Sequence, residues 1–227
     1  MTSILLIAEA EDSIQQSINR ALMLARYLRA RLDILFCSTE RGYVPLSAQA
    51  PETRAQARAY LESLRTSVAA PDVQITTDAA FEGRLHEQVA RKAQAAGSTM
   101  IVKSTERLGG RRELRIDWPL LQHAPAPVLL TQGRAWQPRP RFGFAVETPD
   151  GAAAASAPNE NRTIAALCAA CGAQLHAIAW GAVENNDSEI DLLAVSVVRG
   201  QQLPVLIQRL TADRPTLSGA DLLFLPP

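Results

Sequence analysis

Short apolar runs alternate with segments of helical periodicity along the first 132 residues. Between the runs, apolar residues recur at three- and four-residue spacing, which is typical of amphipathic helices. Ile14, Ile18, Ala21, Leu22, Ala25 and Leu28 form one such stripe. Strands separated by helices predict an α/β fold, an open parallel five-stranded sheet flanked by helices and joined by right-handed crossovers. The five predicted strands are Ser3–Ala8, Arg31–Cys37, Val73–Thr76, Met100–Val102 and Val128–Thr131.

The second half repeats this pattern in shortened form. A predicted helix carries Ile164 and Leu167 and ends at Gly172. Residues 181–190 stand where the first half has residues 38–100, so we expect the second helix, third strand and third helix to be deleted. Propensity alone gives an alternative prediction, in which Leu203–Ile207 forms a further strand. The predicted strands of this half are Phe142–Glu147, Gln174–Trp180, Asp191–Val195 and Ala220–Leu225.

These patterns divide the chain into three parts. Residues 1–132 are predicted to form a complete α/β domain, residues 133–140 a linker with two prolines and a glycine, and residues 141–227 a shortened second domain. A sheet that has lost its covering elements exposes surface that a partner usually hides. We expect the first domain to pack against this exposed surface of the second domain.

The composition of the chain argues against several classes of function and location. The 23 basic and 23 acidic residues balance, and only 5% of residues are aromatic, so no nucleic-acid surface is indicated. No segment reaches the roughly 18 apolar residues of a membrane span. The start of the chain lacks the features of a secretory signal, and three cysteines provide no disulfide framework. The expected location is the cytoplasm, without membrane or nucleic-acid partners.

The segment after the fourth predicted strand carries the most functional information. A loop that leaves the carboxyl end of a parallel strand is where open α/β sheets bind ligands. The block from Met100 to Gln132 resembles the universal stress protein family. ATP-binding members of that family carry Gly-x2-Gly-x9-Gly-Ser/Thr after this strand. At the same spacing this chain has Ser104, Arg107, Asp117 and Trp118.

These replacements change the chemistry that the resemblance implies. Glycines let the backbone N–H groups approach phosphate closely. Arg107 adds bulk at the second glycine position, and Asp117 adds a negative charge beside a negative ligand. The ATP mode of the family is therefore expected to be lost. The run Asp-Trp-x-Leu-Leu…Pro-x-Pro-Val-Leu at residues 117–129 is similar to the first domain of tandem, UspE-like members, which also lack the glycines.

The resemblance extends to the rest of the first half and into the second. The family's opening strand ends in Asp-Gly-Ser, and here Glu9 takes the place of the acid while the Gly-Ser is lost. Residues 81–84, Phe-Glu-Gly-Arg, are similar to the family's Glu-Gly turn. Glu147 takes the acid position of the second half. There the glycine positions fall on Ser196, Arg199, Arg209 and Leu210.

Family members commonly pair two domains through their fifth strands. The resemblance therefore implies that Val128–Thr131 pairs antiparallel with Leu222–Leu225, giving an intramolecular pairing of the two domains about a pseudo-two-fold axis. The resemblance also allows two copies of this pseudo-dimeric chain to associate as a homodimer.

Several residues allow a second interpretation. Arg107 is either an anion contact or a solvated charge, and Glu9 either faces the pocket or lies on the surface. Trp118 either fills the vacated phosphate region or stacks on a ligand. The pair Cys168-x-x-Cys171 lies on an apolar helical stripe, which favours buried thiols over redox or metal chemistry.

No catalytic group or metal site emerges from the sequence. Its three histidines, His86, His123 and His176, are scattered, and no catalytic motif occurs. The sequence thus favours a non-enzymatic stress-response protein that acts through protein contacts and needs no cofactor. The alternative is a small-ligand or atypical nucleotide-binding regulatory protein that uses a degenerate pocket. A nucleotide hydrolase is disfavoured because no nucleophile or phosphate cradle is visible. The degenerate pocket positions are Glu9, Ser104, Arg107, Asp117 and Trp118.

Overall fold

A computed structural model describes residues 2–8, 14–37, 54–68, 70–81, 84–105, 119–132, 134–146, 162–179, 190–196 and 220–225. Helices and strands alternate along the first half, as the periodicity predicts. A short helical segment at residues 119–123 precedes the fifth strand. The elements in chain order are β1 (Ser3–Ala8), α1 (Ile14–Tyr27), β2 (Arg31–Cys37), α2 (Arg54–Val68), β3 (Ile75–Ala80), α3 (Leu85–Ala96), β4 (Ser98–Ser104), β5 (Val128–Thr131), β6 (Arg141–Val146), α4 (Arg162–Cys171), β7 (Gln174–Ala179), β8 (Leu192–Ser196) and β9 (Asp221–Leu225).

The described strands form one continuous sheet. Their order is β3-β2-β1-β4-β5-β9-β8-β6-β7. Neighbouring strands run parallel except at the junction of β5 and β9, which pair antiparallel with Val128 opposite Phe224 and Leu130 opposite Leu222. The α/β class with a largely parallel sheet is confirmed, and the β5–β9 junction has the direction that the resemblance implies.

The strand order of the second half follows that of the first. In the first half β1 lies between β2 and β4, and in the second half β6 lies between β7 and β8. From the central junction outward, the order is thus β5-β4-β1-β2 on one side and β9-β8-β6-β7 on the other. The expected deletion at 181–190 and the alternative strand Leu203–Ile207 lie, apart from Ile190, outside the described residues.

Helices cover both faces of the sheet because each buries its apolar stripe. Helices α1, α2 and α4 contribute to the core on one face, while α3 and residues 120 and 121 contribute to the core on the other. All six residues of β1 are buried, which explains why every residue after Ser3 in this strand is apolar. Gly97 and Gly172 adopt left-handed φ angles of 63° and 61° after α3 and α4, as expected of helix C-terminal caps.

The third strand departs from the sequence prediction. It spans Ile75–Ala80 and not Val73–Thr76. As an edge strand, β3 has only one neighbour, and its residues alternate between exposed and partly buried. An apolar run therefore marks its start poorly, and polar residues such as Thr76 and Asp78 belong to the strand. Among the described helices, none is long and apolar enough to cross a bilayer.

Candidate functional site

The predicted ligand site lies where β4 ends, at the carboxyl edge of the first half. Ser104 is the last residue of β4 and is buried. Lys103, also buried, donates from Nζ to the carbonyl oxygen of Ser104 at 3.1 Å. Of the five predicted pocket positions, only Ser104 is described. Glu9, Arg107, Asp117 and Trp118 lie outside the described residues, so the composition of the pocket stays a prediction.

Buried hydroxyl groups join α1 to the ends of β4 and β5 at this edge. The hydroxyls of Ser17 and Thr131 are hydrogen-bonded at 2.6 Å, and Thr131 Oγ1 lies 3.4 Å from the carbonyl oxygen of Lys103. The Thr105 N–H donates to the carbonyl oxygen of Thr131 at 2.9 Å. These groups satisfy one another, so this part of the edge holds α1 against the sheet. The α1 stripe predicted this packing but not its polar contacts.

One turn further along α1, Arg20 joins the two halves of the chain. Its Nε donates to Asp221 Oδ2 at 2.7 Å, and its Nη2 donates to the Arg134 carbonyl oxygen at 2.6 Å. The guanidinium carbon lies 4.0 Å from the centre of the Trp136 ring, within cation–π range. We call Arg20, Gln132, Arg134, Trp136 and Asp221 the seam cluster, because it lies at the junction of β5 and β9.

Asp221 is the most deeply buried member of the seam cluster. Its Oδ1 accepts from the Gln132 N–H at 2.9 Å, and its Oδ2 accepts from Trp136 Nε1 at 2.9 Å as well as from Arg20. Burial raises the pKa of Asp221, while Arg20 and the hydrogen bonds oppose the rise. Burial also lowers the pKa of Arg20, against the attraction of Asp221. With its donors all within the protein, the carboxylate serves as a structural link between the halves.

The predicted linker makes specific contacts over its described part, residues 134–140. Arg134 donates to the Ile190 carbonyl oxygen, and the Gln137 N–H donates to Asp191 Oδ1 at 3.2 Å. The Trp136 ring packs edge-on against Phe142, with 5.0 Å between ring centres. The segment is therefore held to the second half and is not a plain spacer. Sequence reasoning missed this role, although a tryptophan in a linker otherwise made of small, polar and proline residues was the available signal.

The cysteine pair behaves as the sequence predicts. Cys171 is buried and Cys168 is half-buried on α4. Burial raises the pKa of the Cys168 thiol to about 11 and that of the Cys171 thiol to about 12. Both thiols therefore stay protonated near neutral pH, which disfavours nucleophilic or metal-binding roles. Within the described part of the chain, no three His, Cys, Asp or Glu side chains group closely enough to hold a metal ion.

The histidines are less scattered than the sequence indicates. The rings of His86 and His123 lie with their centres 5.4 Å apart and their planes tilted by 31°. His86 is in the first turn of α3, and His123 ends the helical segment at residues 119–123. Their separation of 37 positions hid this contact from sequence reasoning, since neither residue belongs to a motif. His176 lies apart, in β7 of the second half.

Comparison with known proteins identifies the fold by structure alone. No family model matches the sequence, and no curated protein matches it. A functionally unknown protein from Pseudomonas aeruginosa PAO1 is 19% identical with a TM-score of 0.65, over 99% of this chain and 92% of that chain. A putative universal stress protein from Pseudomonas aeruginosa UCBPP-PA14 is 19% identical with a TM-score of 0.63, over 99% and 93% of the two chains.

A third solved structure extends the likeness to an archaeal protein. A universal stress protein from Archaeoglobus fulgidus DSM 4304 is 9% identical with a TM-score of 0.64, over 99% of this chain and 96% of that chain. At such identities the likeness concerns the fold. Because it covers nearly all of both chains, it includes the second half as well as the first. The chain thus has the α/β fold of universal stress protein structures, with a parallel-dominated sheet flanked by helices.

Proposed function

We propose that this chain is a tandem, UspE-like stress protein that acts in the stress response through protein contacts, without enzymatic activity and without an ATP site. The observation that carries the proposal is the strand order, which repeats outward from the β5–β9 junction. Such an order fits a complete domain paired with a shortened copy of itself. The full-length likeness to universal stress protein structures supports the same interpretation.

Two observations favour a lost ATP site. The sequence replaces all four positions of the glycine motif in the first half, including the one at Ser104. At the end of β5, the hydroxyl of Thr131 is bonded to Ser17, so it is not a free phosphate donor. A phosphate site needs several N–H or hydroxyl groups that point at one place and are not already paired.

Thermal unfolding with and without millimolar Mg-ATP, ADP and AMP tests the proposal. We expect no change in the unfolding temperature. A ligand at 100 times its dissociation constant would add about 2.7 kcal/mol to the free energy of unfolding, which is readily measured. An ATP-binding universal stress protein serves as the positive control.

A reproducible shift with one nucleotide would contradict the loss of the ATP site. In that case the Arg107→Ala variant tests the site, because Arg107 takes the second glycine position of the motif, where an anion contact is one of its two predicted roles. Arg26→Ala provides a matched control, since Arg26 pairs with Asp72 on the exposed surface of the first half. A shift that vanishes in the first variant and persists in the second would place the nucleotide at the degenerate pocket.

The second candidate function is a small-ligand or atypical nucleotide-binding regulator. It is favoured by Lys103, a buried cation at the carboxyl edge of β4, where the ammonium group lies close to the strand end. The same unfolding assay, run with anionic metabolites, distinguishes the two candidates. Stabilisation by one metabolite class, lost in Lys103→Met, would favour the regulator over the partner-binding protein.

A further inference from the structure

Two histidines of the first half lie beside each other in the described structure. His86 and His123 come from different helical segments, and their ring centres are 5.4 Å apart. His123 is exposed and His86 is half-buried, so solvent ions reach the pair. Neither residue has a role in the proposed stress function.

The core fixes the two segments that carry these histidines. Val89 and Ala93 of α3 and Leu120 and Leu121 of the helical segment at residues 119–123 belong to one buried cluster on the same face of the sheet. The backbones under the two imidazoles are therefore held by packing. A pair of ligands on rigid elements loses little entropy when it binds an ion.

The spacing of the rings suits a shared ion. Imidazole nitrogens bind zinc at about 2.0–2.1 Å, which places the metal about 3.2 Å from each ring centre. Two such rings on a tetrahedral ion have centres about 5.2 Å apart, close to the 5.4 Å between His86 and His123.

We propose that His86 and His123 together bind one divalent transition-metal ion, with water completing its coordination. Imidazole nitrogens suit zinc, nickel and copper and do not suit calcium or magnesium. The bound ion would fasten α3 to the segment at residues 119–123. Since both segments lie in the first half, the site is independent of the proposed pairing of the halves.

Calorimetric titration of the untagged full chain with nickel chloride tests the site. We expect one nickel ion per chain, and an affinity at least about tenfold lower in His86→Gln and in His123→Gln, because losing even an outer partner of a metal site costs 10–100-fold. His176→Gln is the matched control, since it removes the third histidine of the chain and leaves the pair intact. Magnesium chloride at the same concentration should give no binding heat.

Thermal unfolding provides a second measurement. Nickel should raise the unfolding temperature of the wild type and of His176→Gln more than that of the two other variants at the same nickel concentration. Unfolding without metal shows that each variant is folded. The proposal is overturned if the wild type binds no nickel, or if the affinity survives both His86→Gln and His123→Gln. The ring contact would then be a stacking interaction only.

Discussion

Two buried aspartates, each paired with an arginine, occupy opposite structural roles in this molecule. Asp33 lies in β2 and Asp221 begins β9. The partners of Asp33 all come from β1, β2 and β3 of the first half. Those of Asp221 come from α1, from the end of β5 and from the linker. One carboxylate stabilises a single half, and the other joins two halves.

The environments shift the two pKa values in opposite directions. Burial raises the pKa of Asp33, but hydrogen bonds from Ser3, Thr76 and Arg31 outweigh it and leave the pKa below its usual value. For Asp221, burial outweighs a comparable set of donors, and the pKa is raised. Arg31 keeps 29% of its side chain exposed, whereas Arg20 keeps 9%. Asp221 and its partner Arg20 are thus both more deeply buried than Asp33 and Arg31, so burial prevails over the hydrogen bonds at Asp221.

The largest effect that we expect comes from removing Arg20. In Arg20→Ala, Asp221 stays buried at the junction without its cation, and such a loss typically destabilises a protein by about 3–5 kcal/mol. Urea unfolding measures the change in the free energy of unfolding. The matched control is Arg26→Ala, whose pair with Asp72 is about half exposed on both sides and should therefore change the free energy of unfolding far less.

If Arg20→Ala and Arg26→Ala destabilised the protein equally, the buried ion pair would contribute no more to stability than the exposed one. A further variant separates the charge from the packing. Replacing Arg20 by Met and Asp221 by Asn together should recover part of the loss, because the neutral amide removes the unpaired charge and keeps an acceptor oxygen for the donors of Gln132 and Trp136.

A smaller effect is expected for Asp33→Asn. The variant loses the Arg31 ion pair and should unfold about 2 kcal/mol more easily at neutral pH. Because the folded-state pKa of Asp33 is lowered, its stabilising contribution is present above the unfolded value of about 3.9 and is lost as pH falls through the folded pKa. Denaturation between about pH 7 and pH 2 should therefore show the difference between wild type and variant shrinking at acid pH. A difference that stays constant would contradict the lowered pKa.

The smallest effect is expected for Trp136→Phe, which tests how much one hydrogen bond to Asp221 contributes to the seam cluster. Trp136→Phe keeps an aromatic ring over Arg20 and removes the N–H that bonds to Asp221 at 2.9 Å. We expect a loss of about 1–2 kcal/mol in the free energy of unfolding, since a hydrogen bond to a charged group is removed while two other donors remain. A loss as large as that of Arg20→Ala would mean that the indole of Trp136 contributes as much to the junction as the ion pair does.

Local patterns predicted much of the fold. The stripe from Ile14 to Leu28 gave α1, and Gly97 and Gly172 marked two helix ends. The prediction failed where burial is one-sided, as in β3, because polar residues at a sheet edge resemble a loop. The sequence shows Trp136 in the linker, Asp191 just before β8 and Asp221 at the start of β9, but it does not show their partners. Of the candidate pocket, only Ser104 was located, at the end of its strand.

The α/β class and most of the strands and helices follow from the sequence alone, because apolar periodicity and glycine caps act over a few neighbouring residues. Which charges and rings meet depends on the tertiary structure. Arg20 and Asp221 are 201 positions apart, and His86 and His123 belong to segments separated by β4. Such contacts depend on strand order and on how helices cover the sheet. No local pattern encodes them, since each residue alone is compatible with an exposed surface.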